Sequence, residues 1–152
     1  IENRYSVMAR QHAALFPALK GLGVDFVAFS PMANGFLTGA YGKGQSFDAK
    51  TDYRAAMPQF TDEAVEKNSA LLELLRDTAA KHGATPAQIS LAWMIDRPEH
   101  VVPIPGSRKP ERMEENLAAA EVNLSAAEVA AIDAALDGME MSAVYGGTPL
   151  KK

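Results

Sequence analysis

Residues 11–22 place Ala14, Leu15, Ala18, Leu19 and Leu22 at helical spacing, and Gly21 and Gly23 then end the pattern. The six residues that follow, Val24-Asp25-Phe26-Val27-Ala28-Phe29, are nearly all apolar and rich in strand formers. A short run of that kind is how a strand buried on both faces reads. Helix, glycine turn and buried strand together make one unit of an α/β fold with parallel strands. A second such strand is expected at His100–Pro105, closed by Gly106, and a third at residues 1–5. Two or three parallel strands can neither close on themselves nor cover both faces. The complete architectures with such units are doubly wound sheets and (β/α)8 barrels, and a barrel needs about 250 residues. A chain of 152 residues therefore reads as part of something larger. Its first residues, Ile1-Glu2-Asn3-Arg4, give the same impression of a chain entered in mid-domain.

The rest of the chain supplies more helices than strands. Pro17 lies inside the first helical pattern and implies a kink or a late start. Thr61-Asp62-Glu63-Ala64 caps a helix expected to run to about His82 and to stop at Gly83. Thr85-Pro86 opens another, which buries Ile89, Leu91, Ala92, Trp93 and Ile95 and ends at Arg97-Pro98. A helix from Pro110 to about Val122 follows. Ser125 and Glu128 form a capping box for a last helix ending at Asp137-Gly138. The tail 139–152 is expected to be irregular. Composition bounds the function. With 47% hydrophobic and 22% charged residues the chain is an ordinary globular one. Its net charge of −4 argues against a nucleic-acid partner. No apolar run approaches the roughly 20 residues that span a bilayer, and a cytoplasmic location is expected. The absence of cysteine removes disulfides and thiolate zinc sites, and His12, His82 and His100 stand in unrelated segments.

Two segments carry chemistry. The first begins where the Val24–Phe29 strand ends, at the end where parallel folds bind ligands. Residues 30–58 form a long aperiodic stretch containing Gly35, Gly39, Gly42 and Gly44. Its aromatics Phe36, Tyr41, Phe47 and Tyr53 favour an ordered loop facing a ligand over a linker. At its start Phe29 can stack on a flat ring, Ser30, Asn34 and Thr38 offer hydrogen bonds, and Gly35 and Gly39 admit phosphate close to the backbone. The alternative is that Phe29 is core and the rest a plain loop. The second segment is Gly106-Ser107-Arg108-Lys109-Pro110-Glu111-Arg112, a glycine turn into a helix with three cations at its start. Cations there oppose the helix dipole, so the cluster implies an anion to meet them, with Ser107, Arg108 and Arg112 as phosphate ligands. The alternative is a solvated helix start in which Arg112 pairs with Glu115 or Glu111. No Ser/His/Asp arrangement can be assembled.

With these motifs in order, the sequence resembles the aldo-keto reductase family over nearly its whole length. The likeness runs from Glu2-Asn3-Arg4-Tyr5-Ser6 through Phe29-Ser30-Pro31-Met32, Gly35, Leu37-Thr38-Gly39 and Thr85–Trp93. It continues to Ile104-Pro105-Gly106-Ser107, Arg112 and Glu115-Asn116. The resemblance implies roughly the last three βα units of a (β/α)8 TIM barrel, with a C-terminal helix and tail, residues 1–152 forming the C-terminal part of a single barrel domain. It implies binding of NADP(H) and hydride transfer to a small aldehyde or ketone. By position, Phe29 would stack on the nicotinamide, and Glu2 would hold the carboxamide where many members have glutamine. Ser30, Pro31, Met32, Gly35, Leu37 and Thr38 would line the pyrophosphate. Ser107, Arg108 and Arg112, beside Gly106, would read the 2′-phosphate, with Glu115 and Asn116 on the adenine. The family's catalytic Asp, Tyr, Lys and His fall in the N-terminal half of the barrel, so no catalytic role is transferred to Tyr5, Tyr41, Tyr53 or Tyr145. The missing N-terminal half is the expected partner, and the chain by itself is expected to be inactive. The runner-up is a non-enzymatic nucleotide-sensing or regulatory subunit of the same fold.

Overall fold

The computed structural model describes residues 1–97 and 101–144. Its centre is a three-stranded parallel sheet in the order β1-β2-β3, with β1 at Glu2–Arg4, β2 at Phe26–Phe29 and β3 at Val101–Pro103. The register sets Glu2 beside Val27, Arg4 beside Phe29, Phe26 beside Val101 and Val27 beside Val102. Because side chains alternate along a strand, the sheet has two unlike faces. Phe26, Ala28 and Val101 are buried on one, under the helices. Glu2, Val27, Phe29 and Val102 share the other, where Val102 is 47% exposed. The expectation of strands buried on both faces is thus met on one face only.

Among the described residues the helices are α1 (Phe16–Leu22), α2 (Asp62–Lys67), α3 (Ser69–His82), α4 (Pro86–Ile95), α5 (Pro110–Ala118) and α6 (Ala126–Asp137). α1 starts late, with Pro17 in its first turn, where no amide is needed. It closes on Gly23 at φ 64°, whose amide donates to Leu19 and Lys20. The helix expected from residue 61 to 82 is broken at Asn68. There the side-chain oxygen accepts from the Ser142 amide at 3.1 Å and the amide nitrogen donates to the Ser142 hydroxyl at 2.7 Å. That bond to a distant residue is invisible to local periodicity. α5 also ends early, at Ala118, and tightens into a 3-10 turn over Ala119–Glu121.

α4 is the keystone, lying against β3, α3 and α5. Its capping box is complete, Thr85 accepting from the Gln88 amide while the Gln88 side chain accepts from the Thr85 amide. Trp93 is fully buried and stacked on Tyr5, with ring centroids 5.4 Å apart. Phe16 and Phe26 meet Tyr5 edge-on, which is the favoured geometry for facing rings. Asp133 of α6 accepts from the Trp93 indole at 3.0 Å and from both terminal nitrogens of Arg97. The first residue of the expected second strand, His100, and the end of the tail, 145–152 with Tyr145, lie outside the described residues. No described helix is long and apolar enough to cross a membrane.

Candidate functional site

Beyond the C-terminal ends of β2 and β3 the chain forms a cleft of about 510 Å³. One wall is Ser30, Pro31, Met32, Asn34, Gly35 and Thr38; the other runs from Ile104 to Lys109 and on to Arg112, Glu115 and Asn116. The two segments singled out in the sequence, about seventy residues apart, therefore face one another. A third contribution comes from Tyr41, Tyr53 and Arg54 of the long loop.

The first wall is held in an unusual backbone. Ser30, Ala33 and Asn34 have φ of 52°, 47° and 60°, and Gly35 follows at 94°. Short 3-10 turns over Ala33–Thr38 are interrupted by this left-handed run. Its amides are largely spoken for: Ala33 donates to Ser30 O, and Gly35 and Leu37 both donate to Met32 O. The Thr38 hydroxyl donates to Gly35 O at 2.7 Å and accepts from the Ala40 amide at 3.2 Å, which fixes the end of this wall. Leu37, expected on this wall, does not line the cleft. Its side chain is fully buried and its amide is used, so it supports the wall from behind.

On the second wall, Ser107 accepts from the Lys109 amide and donates back to Lys109 O, which shapes the turn into α5. Arg108 and Lys109 are exposed. Arg112 pairs with Glu115 at 2.5 Å, as in a solvated helix start, while half of its side chain stays exposed. The other Glu115 oxygen accepts from the Thr85 hydroxyl at 2.8 Å. Glu115 is thus first a brace between α4 and α5, because both carboxylate oxygens already have donors. Asn116 lines the cleft beside it.

Glu2 and Phe29 do not line this cleft. They belong to the open face of the sheet, where the Arg4 guanidinium stands 5.3 Å over the Phe29 ring. Phe29 is therefore neither core nor cleft wall. It offers one half-covered ring on the face that Val102 also presents.

Arg54 was not legible as a site residue. Its guanidinium stacks 4.9 Å over Tyr41 and 4.6 Å over Phe47, binds the Asp52 carboxylate through two nitrogens, and reaches the Tyr41 hydroxyl. Arg54 holds the Asp52 carboxyl down at a pKa of about 2, helped by the positive charge of Arg108, and its own pKa is raised in return. The signal in the sequence was the Asp52-Tyr53-Arg54 triplet amid loop residues. The other tyrosines are structural or peripheral: Tyr5 is core, and Tyr53 lies 67% exposed at the cleft rim. Among the described residues no group of three or more His, Cys, Asp and Glu is placed to hold a metal.

The model for the "Aldo/keto reductase family" matches residues 1–137. The chain belongs to the aldo/keto reductase family. It is 33% identical over 132 residues to "Aldo-keto reductase yakc [NADP(+)]" of Schizosaccharomyces pombe, covering 87% of this chain and 38% of that protein. With "Aldo-keto reductase str7" of Strobilurus tenacellus it shares 37% over 119 residues, 78% of this chain and 35% of the relative. A crystal structure of the thermostable aldo-keto reductase Tm1743 with the inhibitor epalrestat superposes with a TM-score of 0.61 at 27% identity, over 88% of this chain and 38% of that one. The chain thus spans less than two-fifths of the length of these aldo-keto reductases.

Proposed function

We propose that this chain is the cofactor-holding part of an NADP(H)-dependent reductase of aldehydes or ketones, and that β1, β2 and β3 are consecutive strands of a (β/α)8 barrel. The observation that carries the reading is the cleft itself. Its two walls stand at the C-terminal ends of two parallel strands, one polar and glycine-bearing, the other basic. Those walls suit an elongated ligand with phosphates. Arg108 and Arg112 at the start of α5 would meet a 2′-phosphate, with Ser107 and the first turn of the helix beside them. Ser30, Met32, Asn34, Gly35 and Thr38 would line the diphosphate, and Asn116 would reach the adenine edge. Phe29 would stack on the nicotinamide from the sheet's open face, and Glu2 would accept from its carboxamide. NADP(H), when bound, supplies the hydride for a carbonyl carbon. A proton donor for the carbonyl oxygen is assigned to no residue of this chain.

The open sheet face supports the barrel reading, since parallel sheets are covered on both faces in complete folds. The name of the yeast relative, which includes NADP(+), supports the choice of cofactor. Fluorescence titration of NADPH and NADH against the chain tests the proposal. NADPH is expected to bind at least about tenfold tighter, the worth of one charge-assisted hydrogen bond to the extra phosphate. Equal affinities, or no binding of either, would overturn it.

A further inference from the structure

Gln59 is fully buried, 26 positions along the chain from the left-handed turn that forms the polar wall of the cleft. Its side-chain nitrogen donates to Ala33 O at 3.3 Å and lies 3.5 Å from the Asn34 side-chain oxygen, both in that turn, and 3.6 Å from Met57 Sδ. The turn needs such a partner. Ala33 and Asn34 hold φ of 47° and 60° in succession, with Gly35 at 94°. A non-glycine residue in the left-handed region is disfavoured by the clash of its Cβ with the following carbonyl, and two in a row are rarely self-supporting. Glycine at the third position removes that clash there. Asparagine visits that region more readily than other side chains, so Ala33 is the position where a partner outside the turn matters most.

We propose that Gln59 is a positioning residue for the cofactor cleft. It locks the Ala33–Gly35 turn in its left-handed form and so pre-arranges the wall along which a diphosphate would lie. Gln59 touches no ligand in this role. It acts through Asn34 and Gly35, which line the cleft while Gln59 stands behind them. The local setting is consistent with a fixed strut. The 3-10 turn Pro58–Phe60 that carries Gln59 is anchored by Phe60, which packs edge-on against Phe36, Tyr41 and Phe47. Phe36 lies in the same segment as the strained turn, so the strut and its load share one aromatic cluster.

The inference rests on the cofactor reading above, and the experiment separates the two. NADPH and 2′,5′-ADP are titrated calorimetrically into the full 152-residue chain, Gln59→Met, and Gln59→Met with Ala33→Gly. 2′,5′-ADP carries the phosphate meant for Arg108 and Arg112 and a single 5′-phosphate but no diphosphate bridge, so it reports mainly on the basic wall. Gln59→Met should weaken NADPH about tenfold and 2′,5′-ADP less than twofold. Ala33→Gly in that background should restore most of the loss, because glycine holds a positive φ without a partner. Equal losses for both ligands, no loss, or no rescue would overturn the inference and leave the cofactor reading standing. A wild-type chain that binds neither ligand overturns both. Should Gln59→Met fail to fold, hydrogen exchange on the wild-type chain decides. The Ala33, Gly35 and Leu37 amides should exchange as slowly as those of β2, and exchange at free-loop rates would overturn the proposal.

Discussion

Arg112 is held by Glu115 and still faces the cleft, so its replacement separates two roles. If it meets a 2′-phosphate, Arg112→Ala should weaken NADPH about tenfold or more, a charge-assisted hydrogen bond contributing about 1.5–3 kcal/mol. NADH, which lacks that phosphate, should lose less. Arg108→Ala should act in the same direction, and its effect should shrink as salt rises, because Arg108 is exposed and its charge is screened. Fluorescence titration of both cofactors at two ionic strengths reads all of these outcomes. Losses equal for NADPH and NADH would reduce the cluster to a solvated helix start. Arg54 predicts a different behaviour. It is tied to Asp52 and clamped between rings, so Arg54→Ala should loosen the loop around Tyr41 and Phe47 more than it changes discrimination between the two cofactors. Limited proteolysis within residues 41–57 would report that loosening.

At the scale of elements, two caps set measurable stabilities. Thr85 caps α4 and also donates to Glu115, tying α4 to α5. Thr85→Ala should cost about 1–2 kcal/mol, the usual worth of a cap plus part of a second hydrogen bond. That corresponds to a fall in Tm of roughly 2–8 °C for a chain of this size. Ser125 and Glu128 cap α6, and His82 at the end of α3 reaches the same carboxylate at 2.7 Å. The Ser125 hydroxyl and amide, followed by His82, hold the Glu128 pKa down to about 2 from 4.5. A carboxylate lowered by folding adds stability that is fully present above its unfolded pKa and lost as pH falls through its folded one. Wild-type Tm should therefore fall from about pH 4.5 toward pH 2. In Glu128→Gln that part of the pH dependence should be absent, as thermal melts across the range would show.

For the whole molecule the decisive feature is a sheet with helices on one side and Val102, Phe29 and Glu2 on the other. Open strand edges and an apolar face are templates for association. The chain by itself is expected to self-associate, and Val102→Lys, placing a charge on the open face at the edge strand β3, should shift it toward monomer in sedimentation velocity. Supplying the N-terminal portion of an aldo-keto reductase barrel in trans should improve its solubility. A well-dispersed wild-type monomer with a sharp thermal transition would count against the barrel reading. The same reading predicts that the purified chain does not consume NADPH with an aldehyde, since no proton donor for the carbonyl oxygen is assigned to it.

What the sequence determined by itself lay in features that act over a few residues. Gly23 ended α1, Thr85-Pro86 and Ser125 with Glu128 opened helices, and apolar runs marked strands, because caps, turns and periodicity are local physics. The ordered motifs also sufficed to place the chain in its family and to nominate both walls of the cleft. Tertiary structure alone decided what depends on residues distant in the chain. Asn68 breaks a helix because it bonds Ser142, and Glu115 is a brace because Thr85 lies beside it. Leu37 proved to be core, while Arg54 joined the cleft through rings and a carboxylate folded around it. The left-handed turn at Ala33–Gly35 had no local signature beyond Asn34-Gly35, since its Ala33 is held there by the buried side chain of Gln59. Such contacts depend on which side chains the fold brings together, and no spacing along the chain encodes them.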